Sequence, residues 1–137
     1  MSAENKALIA RWFEEVWNKG RGDAIDEMFA AGAVAHGLGP DVRGPAEFKA
    51  FHATFRQAFP DVRISVDEMI AEGDKVAFRL TAAGTHRGDS LGFAATGRPA
   101  RFMVMGSARI VNGQIVEGWN VLDQLGMLTQ LGVLAPR

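Results

Sequence analysis

The sequence predicts an α+β fold, in which helices come first along the chain and pack on one face of a curved, mostly antiparallel sheet. Apolar residues recur at helical spacing before Pro60 and alternate with polar residues after it. Turn-forming stretches at 72–75 and 112–113 separate the alternating segments, as in β-hairpins. The chain has 137 residues and shows no linker, repeat or low-complexity tract, so residues 1–137 are expected to form one domain.

Two helices are predicted at the start of the chain. Apolar side chains recur every three to four residues over 3–18, which indicates an amphipathic helix. Gly20 and Gly22 end this helix, since glycine readily adopts the left-handed backbone found at helix ends. A shorter helix is expected over 23–29, with its apolar side chains buried.

A short strand over 33–36 and a glycine-rich loop over 37–44 are expected next. A third helix should then run over 45–58, because a proline suits its first turn and Pro60 prevents its continuation. His52 lies on one side of this helix with three phenylalanines, so a packing role is expected for it.

Four strands and a last helix are predicted in the second half of the chain. Alternation of apolar and polar residues indicates strands over 62–66, 76–81, 102–111 and 114–123. A short helix should follow to about Leu131. Because a curved sheet that faces helices leaves a conical space between them, this arrangement predicts a pocket.

The alternation of side chains along the last predicted strand determines which of its residues face that pocket. Glu117, Trp119 and Asp123 share one face by parity, and Asn120 and Leu122 share the other. If the first face is concave, Asp123 points into the cone. The loop that follows the second strand of the first hairpin is expected to cover the pocket mouth over 87–99.

Composition excludes several classes of protein. The net charge is −1 and no basic block occurs, so nucleic-acid binding is not expected. The absence of cysteine excludes disulfides, thiolate metal sites and cysteine nucleophiles. No apolar run is long enough to cross a membrane and the first residues do not resemble a signal peptide, so a cytoplasmic protein is expected.

Several segments together resemble the SnoaL-like polyketide cyclase family, which has the nuclear-transport-factor-2-like (NTF2-like) fold. The resemblance rests on Trp12-Phe13, Phe59-Pro60-Asp61, the Gly73-Asp74-Lys75-Val76 hairpin and the closing motif Asp123-Gln124-Leu125-Gly126-Met127-Leu128, and it spans about residues 5–133. It implies a cone-shaped α+β barrel, with N-terminal helices packed on a curved sheet that encloses a pocket. It also implies a homodimer formed through the outer sheet face, to which Met103, Met105 or Ile110 could contribute.

The characterised cyclases of this family imply an intramolecular aldol ring closure on an aromatic polyketide methyl ester, without a metal or an organic cofactor. The resemblance places the acid/base aspartate at Asp123, through the motif Trp-Asn-Val-Leu-Asp-Gln. It also makes His36 and His86 candidates for histidines that face the cavity. Chemically, a histidine at a pocket rim could polarise a carbonyl or move a proton.

Each candidate has a structural alternative. Asp123 could act as general acid and base in a dry pocket, or it could cap the helix that begins at Gln124. His36 and His86 could be structural, or they could join Asp123 in a two-histidine, one-carboxylate metal site, which their wide spacing does not support. Glu117 is expected to pair with an arginine on a neighbouring strand, from the set Arg79, Arg101 and Arg109.

A flat hydrophobic ligand could bind in an aromatic slot. The predicted slot residues are Phe55, Phe59, Met103, Met105 and Trp119. The leading functional hypothesis is therefore a cofactor-independent lyase or isomerase acting on a hydrophobic, oxygenated small molecule. The alternatives are a non-catalytic binding or dimerisation module, and a hydrolase or hydroxylase that activates water or oxygen.

Overall fold

Helices cover one face of a six-stranded sheet in the computed structural model, which describes residues 2–134. Helix α1 continues without interruption into a π-helical turn over Phe13–Asn18. The elements in chain order are α1 (Ser2–Trp12), α2 (Asp23–Met28), β1 (Phe29–His36), β2 (Val42–Arg43), α3 (Gly44–Ala58), β3 (Arg63–Glu72), β4 (Lys75–Thr85), β5 (Pro99–Val111), β6 (Gln114–Leu122) and α4 (Gln124–Gln130). The predicted α+β class and the order of elements are confirmed.

The strand order across the sheet is β2-β1-β6-β5-β4-β3. Every neighbouring pair is antiparallel except β1 and β6, which are parallel. Register shifts interrupt the β3–β4, β5–β6 and β1–β6 pairings, and such bulges bend and twist strands. The sheet is therefore mostly antiparallel and curved, as predicted, and the helices pack on its concave face.

The π-helical turn lies where the first helix meets the edge of the sheet. Asn18, its last residue, accepts a hydrogen bond from Ile64 N–H at 2.6 Å and donates one to Ile64 O at 2.9 Å. These two bonds satisfy backbone groups at the beginning of β3. The helix predicted over 3–18 is thus present, with its last six residues in the wider helical form.

Several strand boundaries differ from the predicted ones, including the ends of β3 at Glu72 and of β4 at Thr85, which lie beyond the predicted 66 and 81. Strand β1 begins at Phe29, four residues before the predicted start at Ala33, and β2 occupies part of the predicted 37–44 loop. Strand β5 begins at Pro99 because its pairing with β4 continues to Thr85 opposite Pro99. Strand ends are set by pairing with the neighbouring strand. The alternation of apolar and polar residues along one strand does not indicate where that pairing stops.

Aromatic side chains dominate the core between the two layers. Phe48 on α3 lies 5.0 Å from the ring of Trp12 and 5.0 Å from the ring of Phe29, measured between centroids. Such pairs add to the free energy of burying each ring, which is about 1.5–3 kcal/mol. Within residues 2–134 we find no helix with the length and hydropathy that a membrane crossing requires.

Candidate functional site

An apolar cavity lies between the helices and the concave face of the sheet. The volume of this cavity is about 90 Å³. Nine aromatic residues contribute to its wall: Trp12, Phe13, Trp17, Phe29, Phe48, Phe51, Phe55, Phe78 and Phe102. The polar lining residues are Ser107 and Asn120, and no Asp, Glu, His, Lys or Arg of residues 2–134 lines the cavity.

The aromatic wall on the helical side is built by edge-to-face contacts. The ring of Trp17 lies 6.1 Å from Phe51 and 5.7 Å from Phe55, with interplanar angles of 77° and 88°. Such T-shaped pairs direct positive ring edges toward negative ring faces and fix the ring orientations. The wall is therefore a firm apolar surface, suited to the flat face of a ligand.

The concave face of β6 carries Gly118, Asn120 and Leu122, all of which line the cavity. The condition under which Asp123 would point into the cone is therefore not met. Ile115 also lines the cavity, and the register changes between Arg109–Glu117 and Ile110–Ile115. This bulge leaves one extra residue in β6, so the residues that face inward change from odd to even numbers.

Asp123 lies at the end of β6, directly after the lining residue Leu122. It is exposed and caps α4, because Gly126 N–H donates to its Oδ1 at 2.9 Å. Its own N–H donates to Met103 O at 2.9 Å. The structural alternative considered for this residue, a helix cap, is thus present, and the carboxylate is beside the cavity rather than in it.

His36 lies on the convex side of the sheet, between two carboxylates. Its Nε2 is 2.7 Å from Glu117 Oε2 and its Nδ1 is 3.0 Å from Asp41 Oδ1. Since ionised carboxylates only accept hydrogen bonds, both contacts are satisfied together when the imidazole is doubly protonated. The hydrogen bonds to Glu117 and then Asp41 raise the pKa of His36 above its usual value. The ring also stacks on Trp119 at 5.6 Å.

The predicted arginine partner of Glu117 is replaced by this histidine. Arg79 instead lies 3.8 Å from Asp67. The parallel pairing of β1 with β6 places His36 opposite Trp119 and brings Glu117 within reach. No local pattern indicates this contact, because it joins residues that are 81 positions apart.

His86 is completely buried behind the cavity wall. Thr96 N–H donates to its Nδ1 at 3.1 Å, so Nδ1 accepts and Nε2 carries the proton in the neutral ring. Nε2 has no hydrogen-bond partner among the described residues. The ring lies 5.6 Å from Phe59 and 4.9 Å from Phe93, and it does not line the cavity.

The third histidine has the packing role predicted for it. His52 is buried against Trp17, with ring centroids 4.9 Å apart, and its Nε2–H donates to Val16 O at 2.7 Å. Burial lowers the pKa of His52 below its usual value. The ring is therefore a neutral part of the helical layer.

The predicted aromatic slot is divided between three places. Phe55 lines the cavity, and Phe59 is buried behind it at 5.3 Å. Met103, Met105 and Trp119 are on the convex face, with 48%, 51% and 38% of their surfaces exposed. The structure does not bring these five residues together, because Met103 and Met105 alternate with the lining residues Phe102 and Val104, and Trp119 alternates with the lining residues Gly118 and Asn120.

Much of the cavity wall consists of aromatic residues that the predicted aromatic slot did not include, namely Trp12, Trp17, Phe48 and Phe51. Their spacing in the first and third helices was the available signal, since each occupies the apolar side of its helix. That periodicity identifies a buried face but does not distinguish a filled core from a cavity wall.

The loop predicted to cover the pocket mouth packs elsewhere. Ser90 Oγ donates to Thr54 O at 2.6 Å, and Gly88 N–H donates to Ala58 O at 3.3 Å. The segment thus rests on the C-terminal half of α3, and no residue of 87–99 lines the cavity.

The metal-site alternative also lacks support from geometry. No group of three or more His, Asp or Glu side chains within residues 2–134 is arranged to hold a metal ion. His36 is on the convex face, His86 is behind the cavity wall, and Asp123 caps the last helix. The three candidate catalytic residues are therefore not neighbours.

The family model for the SnoaL-like polyketide cyclases matches residues 7–131. Aklanonic acid methyl ester cyclase DnrD of Streptomyces peucetius is 31% identical over 130 residues, covering 90% of this chain and 88% of that protein.

Solved structures share the fold of this chain. AclR of Streptomyces galilaeus, a hydroxylase candidate, is 29% identical with a TM-score of 0.87, covering 100% of this chain and 86% of that one. A SnoaL-like polyketide cyclase candidate from Jannaschia sp. CCS1 shares the fold at 23% identity and a TM-score of 0.90, over 98% and 96% of the two chains. As the sequence motifs predicted, this chain belongs to the SnoaL-like polyketide cyclase family, and it is a protein of the polyketide cyclase type with the NTF2-like fold.

Proposed function

We propose that the protein is a cofactor-independent cyclase that closes a ring in a hydrophobic, oxygenated small molecule by an intramolecular aldol reaction. A polyketide ester is the most concrete substrate, by analogy with the relatives that are ester cyclases. The observation that supports this proposal most is the cavity, whose wall is almost entirely aromatic and aliphatic. Such a wall suits a ligand with flat apolar rings and few oxygen atoms.

The cavity would contribute by holding the substrate in a folded conformation. An aldol closure joins two carbons of one chain, so its rate depends strongly on how often they meet. A narrow apolar space between Trp17, Phe55 and the sheet restricts those conformations. It also excludes water, which strengthens any polar contact made inside it.

Asp123 is the proposed general base and acid. Its carboxylate would take a proton from the carbon next to a carbonyl, and the resulting enolate carbon would form a bond to a second carbonyl carbon. The alkoxide formed there would take the proton back. Asp123 follows Leu122 in the chain, so its Cα is about 3.8 Å from that of a lining residue. Gly126 N–H occupies Oδ1, which leaves Oδ2 for the substrate.

The variant Asp123→Asn separates the chemical role from the structural one. Asparagine caps helices as well as aspartate does, so the free energy of unfolding should change by less than about 0.5 kcal/mol. Turnover of an aromatic polyketide methyl ester, followed by mass spectrometry, should fall by about 10²–10⁴-fold while the dissociation constant stays the same. Turnover within threefold of the wild type would contradict the acid/base assignment.

A non-catalytic binding module is the second candidate. It is favoured by the absence of ionisable side chains from the lining within residues 2–134. Wild-type protein that binds the ester tightly but leaves it unchanged would support this alternative. A hydroxylase, as suggested by the similarity to AclR, would instead introduce labelled oxygen from ¹⁸O₂ or H₂¹⁸O into the product.

We further propose that two copies associate through the convex sheet face. Met103, Met105, Trp119 and Val121 form an exposed apolar patch there, whereas Ile110, which was also expected to contribute, is buried at 4% exposure. A patch that pairs with its own copy by two-fold symmetry would be covered in a dimer. Met105→Glu should convert the dimer to a monomer in sedimentation velocity. Ala10→Glu, at an exposed residue of α1 on the helical side of the sheet, should leave the dimer intact.

A further inference from the structure

We infer that Asn120 anchors the ligand, by donating a side-chain N–H to a carbonyl oxygen of an otherwise apolar, flat molecule. This inference rests on the proposed function, since it requires the cavity to bind such a molecule, but it does not depend on the role of Asp123. Asn120 and Ser107 are the polar residues of the lining. In aldol chemistry, such a donor would polarise the attacked carbonyl and stabilise the developing alkoxide.

The side-chain amide of Asn120 is unpaired within the part of the chain that the structure describes. Among residues 2–134, no hydrogen bond joins its side chain to another group, although the residue is half-buried. A polar group in an apolar space loses free energy unless something bonds to it. Water would find few partners here, because ordered internal water usually makes about three hydrogen bonds and the lining offers little besides Ser107. A ligand oxygen is the better partner.

Small neighbours keep space open beside this amide. Gly106 lies opposite Asn120 in β5, and Gly118 precedes it by two residues on the same face of β6. A Cβ at position 106 would lie 2.9 Å from the ring of Phe78 and 2.2 Å from Trp119 O, so a side chain there would force the sheet to move. Close packing therefore requires glycine at position 106, whereas a Cβ at Gly118 would meet only Ser107 O at 3.8 Å, so the space beside Asn120 on β6 is open.

The backbone of Asn120 is held in place from the other side. Gly37 follows β1 with a φ of +89°, and a Cβ there would be only 1.8 Å from Asn120 O. The chain directly after β1 thus lies against the backbone of Asn120, and Leu38 joins the cavity lining. An anchor between two strands and a closely packed loop is preorganised, so little ordering is required when a ligand binds.

The experiment compares two rigid tricyclic probes that differ by one carbonyl oxygen, 9-fluorenone and fluorene. Their dissociation constants are measured by quenching of tryptophan fluorescence, since Trp12 and Trp17 line the cavity. In Asn120→Leu, the ratio of the fluorenone constant to the fluorene constant should rise about five- to tenfold over the wild type, which corresponds to the loss of one hydrogen bond. The control Val121→Leu places the same side chain on the convex face and should keep the wild-type ratio.

An unchanged ratio in Asn120→Leu, within twofold, would overturn the inference, and so would a wild type that binds neither probe. If Asn120→Leu does not fold, Asn120→Ala should show the same rise in ratio, and its failure to do so would be equally decisive. A changed ratio together with full turnover in Asp123→Asn would overturn only the acid/base assignment. An unchanged ratio together with lost turnover would overturn only the anchoring role of Asn120.

Discussion

The two faces of the sheet differ more than any other two regions of this protein. The concave face and the helices above it enclose a cavity whose lining, within the described residues 2–134, has no ionisable side chain. The convex face carries His36 between Glu117 and Asp41, with Lys75 lying 6.0 Å from the ring of Trp119. Ionisable side chains thus lie outside the cavity lining, and the proposed proton donor Asp123 acts from the end of β6.

The largest effect that this comparison predicts is on stability. Phe48→Ala should lower the free energy of unfolding by about 3–5 kcal/mol, because Phe48 is 5% exposed and contacts several rings of the cavity wall. Met105→Ala on the convex face should cost less than about 0.5 kcal/mol, since 51% of Met105 is exposed. Urea unfolding at a protein concentration low enough to prevent association measures both. Equal losses would mean that the two faces do not differ in packing.

A smaller effect should appear in the pH dependence of unfolding. His36 has a raised pKa in the folded protein, so its favourable contribution is complete below the usual pKa of 6.5 and is lost as pH rises through the folded value. His52 has a lowered pKa, so its contribution is complete above 6.5 and is lost as pH falls through its folded value. The two histidines therefore favour opposite ends of the neutral range.

Single substitutions can separate these two contributions. The difference in unfolding free energy between the wild type and His36→Gln should shrink as pH increases above 6.5. The difference between the wild type and His52→Gln should shrink as pH decreases below 6.5. NMR titration of both imidazoles in the folded protein provides an independent check. Curves that run parallel to the wild type at all pH values would show that neither partner shifts the titration.

Local patterns were sufficient to predict the fold but not the site. Helical spacing, strand alternation and the Asn112-Gly113 turn each depend on neighbouring residues, and all three predictions agree with the structure. The lining of β6 depends on a bulge near Val116, where the adjacent apolar residues Ile115 and Val116 give no local sign of which one faces the core. The grouping of Glu117 with Trp119 by parity agrees with the structure, but the face that they share is convex, and Asn120 on the other face lines the cavity.

The contacts of His36 and His86 were outside the reach of sequence reasoning for a related reason. His36 bonds to Glu117 across 81 positions, and the position of His86 depends on how its loop returns to Thr96. The capping role of Asp123 was accessible, since it involves Gly126, only three residues away. Prediction from one sequence is thus strongest for interactions between residues that are close along the chain.

The parallel pairing of β1 with β6 determines when this molecule can become complete during its synthesis. β1 ends at His36 and is translated well before its partner strand, which begins at Gln114. At about 5–20 residues per second, the ribosome exposes an unpaired β1 edge for several seconds. The hairpins β3–β4 and β4–β5 can form earlier from contacts closer in sequence. The cavity is therefore expected to be the last part of the nascent chain to close, and shortening the C-terminus should leave the N-terminal half vulnerable to aggregation and proteolysis.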